Sequence, residues 1–110
     1  MAKFIKGDVV VVPFPFADLT QTKRRPALII ANLEGDDFIL CQLTSKQVSD
    51  TYSIPIEDSD IGDGSLKQSS NVRPNRIFTA DGHIIIYRIG HLKIEKLEEI
   101  IKKIITILQS

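Results

Sequence analysis

The chain has 110 residues, the usual size of one domain, and none of its stretches reads as a linker or internal repeat, so residues 1–110 are expected to form a single domain. Fourteen Lys and Arg balance fourteen Asp and Glu. That neutrality excludes a polycation that coats nucleic acid by bulk charge and a highly charged disordered tail, and leaves room only for a local charged site.

Residues 8–15 hold a run of four valines closed by Pro13 and Pro15, which reads as a short strand stopped where the backbone loses amide donors. A polar loop from 17 to 25 follows. Pro26 then opens Ala-Leu-Ile-Ile-Ala, whose unbroken apolar character predicts a strand covered on both faces. The turn Glu34-Gly35-Asp36-Asp37 leads into an antiparallel partner over 38–43. Residues 52–56 contain Pro55 and read as an edge strand. An acidic loop is expected over 58–64 and an unassigned polar stretch over 65–74. Strands are expected over 76–79 and 83–89, joined by the Asp81-Gly82 turn, with Gly90 bending the chain out of the sheet. From 93 to 108 the period changes: Ile94, Leu97, Ile101, Ile104 and Leu108 recur at helical spacing, widened by Ile100 and Ile105, so an amphipathic helix closes the chain. Short strands followed by one terminal helix imply a mainly β fold, a small closed or half-closed barrel plugged by the helix.

Three clusters could carry chemistry. In Lys23-Arg24-Arg25-Pro26, proline confines Arg25 to extended angles, and a guanidinium held in that way can clamp a phosphate with paired hydrogen bonds. A solvated basic loop is the plainer reading of the same triplet. If 26–33 pairs with 38–43, Thr44 lands beside the start of the preceding strand, near Arg25, although a threonine can equally finish a strand with a local backbone bond. Ser69 to Arg76 repeats the Arg-Pro pairing at Arg73-Pro74, with hydroxyls and amides that suit phosphates or base edges.

The other candidates read as structural. Cys41, the lone cysteine, has no disulfide partner and fits a small buried position; no cysteine or histidine spacing suggests zinc. His83 and His91 read as surface or packing residues, and the acids Glu57, Asp58, Asp60 and Asp63 as a solvated loop without a calcium register. No signal-like start and no apolar run of ~18 residues is present, so a cytoplasmic protein with no membrane contact is expected.

Taken in order, Gly7-Asp8-Val9-Val10, Arg25-Pro26-Ala27-Leu28-Ile29-Ile30, Gln42-Leu43-Thr44-Ser45 and the stretch from Arg73 to Thr79 make the chain resemble the MazF/PemK toxins of type II toxin–antitoxin systems. The resemblance spans nearly the whole chain. It implies an SH3-like barrel of the CcdB/PemK type with a C-terminal helix, a homodimer, an antitoxin partner, and cleavage of single-stranded RNA or mRNA without metal or cofactor. Arg25 and Thr44 match the family's catalytic pair; Gln21, Arg24, Ser70, Arg73 and Asn75 are placed to bind RNA. Leu19 and Thr20 stand where some relatives carry a histidine or glutamate, and Asn75 where some carry an aspartate, so no carboxylate base is assigned. The alternative reading is a gyrase-poison toxin on the same barrel without nuclease activity.

Overall fold

The computed structural model describes residues 4–14 and 23–110. Strands β1 (Asp8–Phe14), β2 (Lys23–Asn32), β3 (Asp37–Thr44), β4 (Ile54–Ile56), β5 (Ile61–Gly64), β6 (Ser70–Asp81) and β7 (Tyr87–Leu92) precede helix α1 (Ile94–Gln109). All seven strands join one antiparallel sheet in the order β4-β6-β3-β2-β1-β7-β5. The sheet curls into a half-barrel whose two edges, β4 and β5, stay unpaired with each other.

Alternation along the central strands explains the valine and isoleucine runs. Val9, Leu28, Cys41 and Leu43 point to one face and are covered by Leu97, Ile100 and Ile104 of α1. Val10, Val12, Ala27, Ile29 and Leu40 point to the other, where Phe38, Ala80 and Ile85 pack with them. Both faces are therefore dry, as an unbroken apolar strand requires. Burial also holds α1, since its many β-branched residues lower intrinsic helicity. Only part of the expected stripe is used: Ile94, Ile105 and Leu108 remain exposed.

The β2–β3 hairpin, the edge position of β4 and the terminal helix match the expectations above. Other boundaries move. β1 continues through Pro13, and β2 already begins at Lys23, with Pro26 inside the strand opposite Val11. That is tolerated because the β3 ladder ends at Ala27↔Gln42, so Pro26 is asked for no bond on that side. The acidic segment is a 3-10 turn at Asp58–Asp60 followed by strand β5, not a solvated loop throughout. β6 starts at Ser70 and absorbs the second half of the unassigned polar stretch, because a break in register between Cys41 and Gln42 loops out Pro74, Asn75 and Arg76 without ending the pairing. β6 and β7 are not neighbours, being separated by β3, β2 and β1.

Gly90 does not bend the chain out of the sheet; it lies within β7 opposite Val9 and Gly64. A Cβ on Gly90 would stand 2.6 Å from the Asp63 carbonyl oxygen, and one on Gly64 2.5 Å from that of Ile89. The two glycines let β5 close onto β7.

Candidate active site

The start of β2, the end of β3, the β5–β6 connection and the start of β7 enclose a cavity of about 630 Å³. Arg25 and Thr44 stand two residues beyond the last registered β2–β3 pair, Ala27↔Gln42, and both line this cavity. The hairpin thus brings together residues nineteen positions apart. Arg25 and Thr44 are half-buried, whereas Arg24, also on the wall, is exposed. Among the described residues, neither Arg24 nor Arg25 is ion-paired.

The Thr44 hydroxyl oxygen accepts the backbone N–H of Lys46 at 3.2 Å. This is the local strand-end bond that a threonine can make here, and it does not compete with a functional role. A hydroxyl has one proton and two lone pairs, so a lone pair spent on Lys46 leaves the O–H as a donor. Ser70, buried at the start of β6, also lines the cavity, but its hydroxyl donates to the Gln68 carbonyl at 3.1 Å.

Ser45, Ser65, Lys67, Gln68, Tyr87 and Arg88 complete the polar lining, and the sequence reading gave Lys67, Gln68, Tyr87 and Arg88 no role. Four cations, Arg24, Arg25, Lys67 and Arg88, therefore converge on one cavity of a chain with no net charge, and among the described residues no Asp, Glu or His lines it. The missed signal was a charge inside an apolar run: Arg88 sits in Ile84-Ile85-Ile86-Tyr87-Arg88-Ile89. Such a charge needs partners. Its guanidinium donates to Asp63 at 2.7 Å and to Asp8 at 3.4 Å. Asp8, of the GDVV stretch, has a side chain only 3% exposed and also takes His91 Nδ1 at 2.8 Å and the Ile5 N–H at 2.9 Å. Gly7 belongs to the same arrangement, because a Cβ there would lie 2.7 Å from the His91 ring. His91 is thus a packing residue with a specific partner, while His83 is exposed and paired with Asp81 at 2.7 Å.

Arg73 and Asn75 lie outside the main cavity. Arg73 donates to Asp50 at 3.0 Å and lines an adjoining depression of about 380 Å³ with Lys46, Gln47, Val48, Ser49 and Asp50. Thr44 borders both hollows. The Asp50 carboxyl is held below its ordinary value: partial desolvation pushes it up, but the N–H groups of Tyr52 and Ser53 and the Arg73 guanidinium outweigh that. Asn75 is exposed in the looped-out part of β6 and lines neither hollow. Gln21, Leu19 and Thr20 fall outside the described residues.

Burial raises the Cys41 thiol to about 12, which suits an inert core position. Among the described residues no three His, Cys, Asp or Glu side chains converge as a metal-ligand set.

A curled antiparallel sheet, a C-terminal helix and a cation-lined mouth together describe a small half-barrel with a cationic cavity. The chain belongs to the family of PemK-like, MazF-like toxins of type II toxin–antitoxin systems, whose model matches residues 5–108. No curated protein shows a significant sequence match. Solved structures share the fold. An endoribonuclease from Mycobacterial species superposes with a TM-score of 0.74 at 19% identity, over 99% of this chain and 94% of that one. An endoribonuclease in complex with its cognate antitoxin, also from Mycobacterial species, gives 0.75 at 18%, over 96% and 95%. The MazE-MazF complex (Form-III) from Deinococcus radiodurans gives 0.75 at 17%, over 96% of each chain. Among the described residues no helix is long and apolar enough to cross a membrane.

Proposed function

We propose that this chain is an endoribonuclease toxin that cuts single-stranded RNA in the cavity bordered by Arg25 and Thr44. The observation that carries the reading is the gathering of Arg24, Arg25, Lys67 and Arg88 on a wall that has no carboxylate among its described residues. Such a surface suits a polyanion and repels nothing along its backbone.

In the proposed reaction a ribose 2′-oxygen attacks the adjacent phosphorus and loses its proton, and the bond to the 5′-oxygen breaks. That oxygen takes up a proton to leave as a 5′-hydroxyl, and a 2′,3′-cyclic phosphate remains. DNA lacks the nucleophile and survives. No water or metal is consumed. Charge builds on the non-bridging phosphoryl oxygens, so the main demand on the protein is for preorganised donors. Arg25 would stabilise that charge, and the Thr44 O–H, oriented by its bond from Lys46, would hold one oxygen. With no Asp, Glu or His among the described lining residues, those residues would act through electrostatics and positioning more than through proton transfer. Arg24, Ser70 and Arg73 would bind the flanking strand, Arg73 from the adjoining hollow; Gln21 and Asn75 are assigned to RNA contacts by family likeness.

The same reading gives the chain an antitoxin partner, an acidic segment that orders as it covers the cationic cavity, and a second copy of itself as a homodimer. The test is incubation of the protein with labelled single-stranded RNA in EDTA. The expected result is cleavage to cyclic-phosphate ends, absent with Arg25→Ala and absent on DNA of the same sequence. Intact RNA together with inhibited DNA supercoiling would overturn the proposal in favour of a topoisomerase poison.

A further inference from the structure

We propose that Arg88 grips the RNA backbone by exchange: it gives up its bond to Asp63 for a substrate phosphate, while Asp8 keeps the guanidinium in place. The inference rests on the ribonuclease reading above and adds a residue to it.

The two carboxylates that hold Arg88 differ in kind. Asp8 is fixed: its side chain is 3% exposed, and His91 and the Ile5 N–H hold it from two further directions. Asp63 is replaceable, because its side chain is 73% exposed on edge strand β5, and water can solvate it once Arg88 turns away. An exposed ion pair is weak, whereas arginine binds phosphate through two parallel charge-assisted bonds. Donors are in sufficient supply. Of the five N–H groups of a guanidinium, Asp8 takes one from Nη1 and Asp63 one from Nη2.

Position supports the exchange. Arg88 lines the cavity with Arg25 and Thr44, and Asp63 does not, so the pair joins the wall to an acid outside it. The close packing of Gly64 on Gly90 brings β5 near enough for Asp63 to reach Arg88. Asp63 therefore neutralises the guanidinium in the empty cavity, and the fold makes that partner the easier of the two to lose.

The probe is a fluorescent 2′-O-methyl oligoribonucleotide, which has no free nucleophile, titrated at several salt concentrations. Each phosphate contact to a single strand contributes about 0.7 to the slope of log affinity against log salt. Arg88→Gln is expected to lower that slope by about 0.7 and to weaken binding about tenfold at low salt. Asp63→Asn is expected to tighten binding about threefold. The tightening should vanish in the Asp63→Asn, Arg88→Gln double variant, whereas mere removal of a nearby negative charge would tighten both backgrounds alike. An unchanged slope in a folded Arg88→Gln protein, or equal tightening in both backgrounds, overturns the exchange. If Arg88→Gln does not fold, Asp63→Asn carries the test from the solvent side, and an unchanged affinity sinks the idea. Cleavage of unmodified RNA by the wild-type protein is scored separately: its absence refutes the ribonuclease reading, and its presence with a failed exchange refutes only Arg88.

Discussion

On the β2 wall of the cavity, Arg24 and Arg25 have no carboxylate partner among the described residues, whereas on the β7 wall Arg88 is held between Asp8 and Asp63. Arg73, in the next hollow, is likewise tied to Asp50. The contrast separates two uses of the same side chain. An arginine without an acid beside it keeps its full field for an incoming anion but depends on its strand for direction. A paired arginine is directed by its partner and must trade part of that bond to take a ligand. Changes on the two walls should therefore be read by different instruments, activity on one side and stability on the other.

The largest effect belongs to the β2 wall. Arg25→Ala is expected to lower RNA cleavage by about 10²-fold or more, the usual cost of one preorganised donor to a developing anion. Its thermal unfolding should stay within about 0.5 kcal/mol of wild type, because no ion pair to a described residue is lost. Matched losses of activity and stability would show that Arg25 is a structural cation and break the contrast.

Asp8→Asn probes the other wall and should give the opposite pattern. The carboxylate is buried and accepts from Arg88, His91 and Ile5, so its neutral amide leaves poorly matched donors behind. A cost of about 2 kcal/mol in denaturant unfolding is expected, less than for a fully buried pair because Arg88 is itself 37% exposed. Binding of RNA should weaken only as far as Arg88 loses its direction. An unfolding midpoint equal to that of wild type would mean that the GDVV aspartate is not what braces β7.

The unequal legibility of the two walls has a physical origin. Arg25 and Thr44 could be placed together in advance because a short hairpin with the Glu34-Gly35 turn fixes its register locally, and Gly35 takes the positive φ that such a turn needs. The apolar runs of β1 and β2 and the helical period of α1 were readable for the same reason, since each pattern is complete within its own segment. Arg88 and Asp8 are eighty residues apart and meet only because β7 returns to pair with β1. Nothing local in either segment specifies that return. The start of β6 was hidden in another way: Pro74 inside it argues against a strand, and only the looped-out register opposite Cys41 and Gln42 makes room for it. Gly90 reads as a bend because its close approach to Gly64 is made by a partner strand and leaves no mark in the sequence nearby.

The smallest expected effect sharpens the contrast at Arg73. Asp50 accepts the N–H groups of Tyr52 and Ser53 as well as the Arg73 guanidinium, so one carboxylate shapes the loop before β4 and ties it to β6. Its folded-state value lies below the ordinary 3.8, so the folded protein binds its proton less readily than the unfolded chain does. The stability this contributes is complete above 3.8 and is lost as the pH falls through the lower folded value. Asp63 and Asp81 are depressed in the same direction, by Arg88 and by His83 respectively, and add to the same acid limb. Asp50→Asn should therefore be less stable than wild type at pH 7, and the gap should close as the pH falls below 3.8. Unfolding curves of the two proteins across that range are the measurement. A gap that persists at low pH would assign the loss to the altered loop rather than to the charge, and Arg73 would then take its direction from its strand, as Arg25 does.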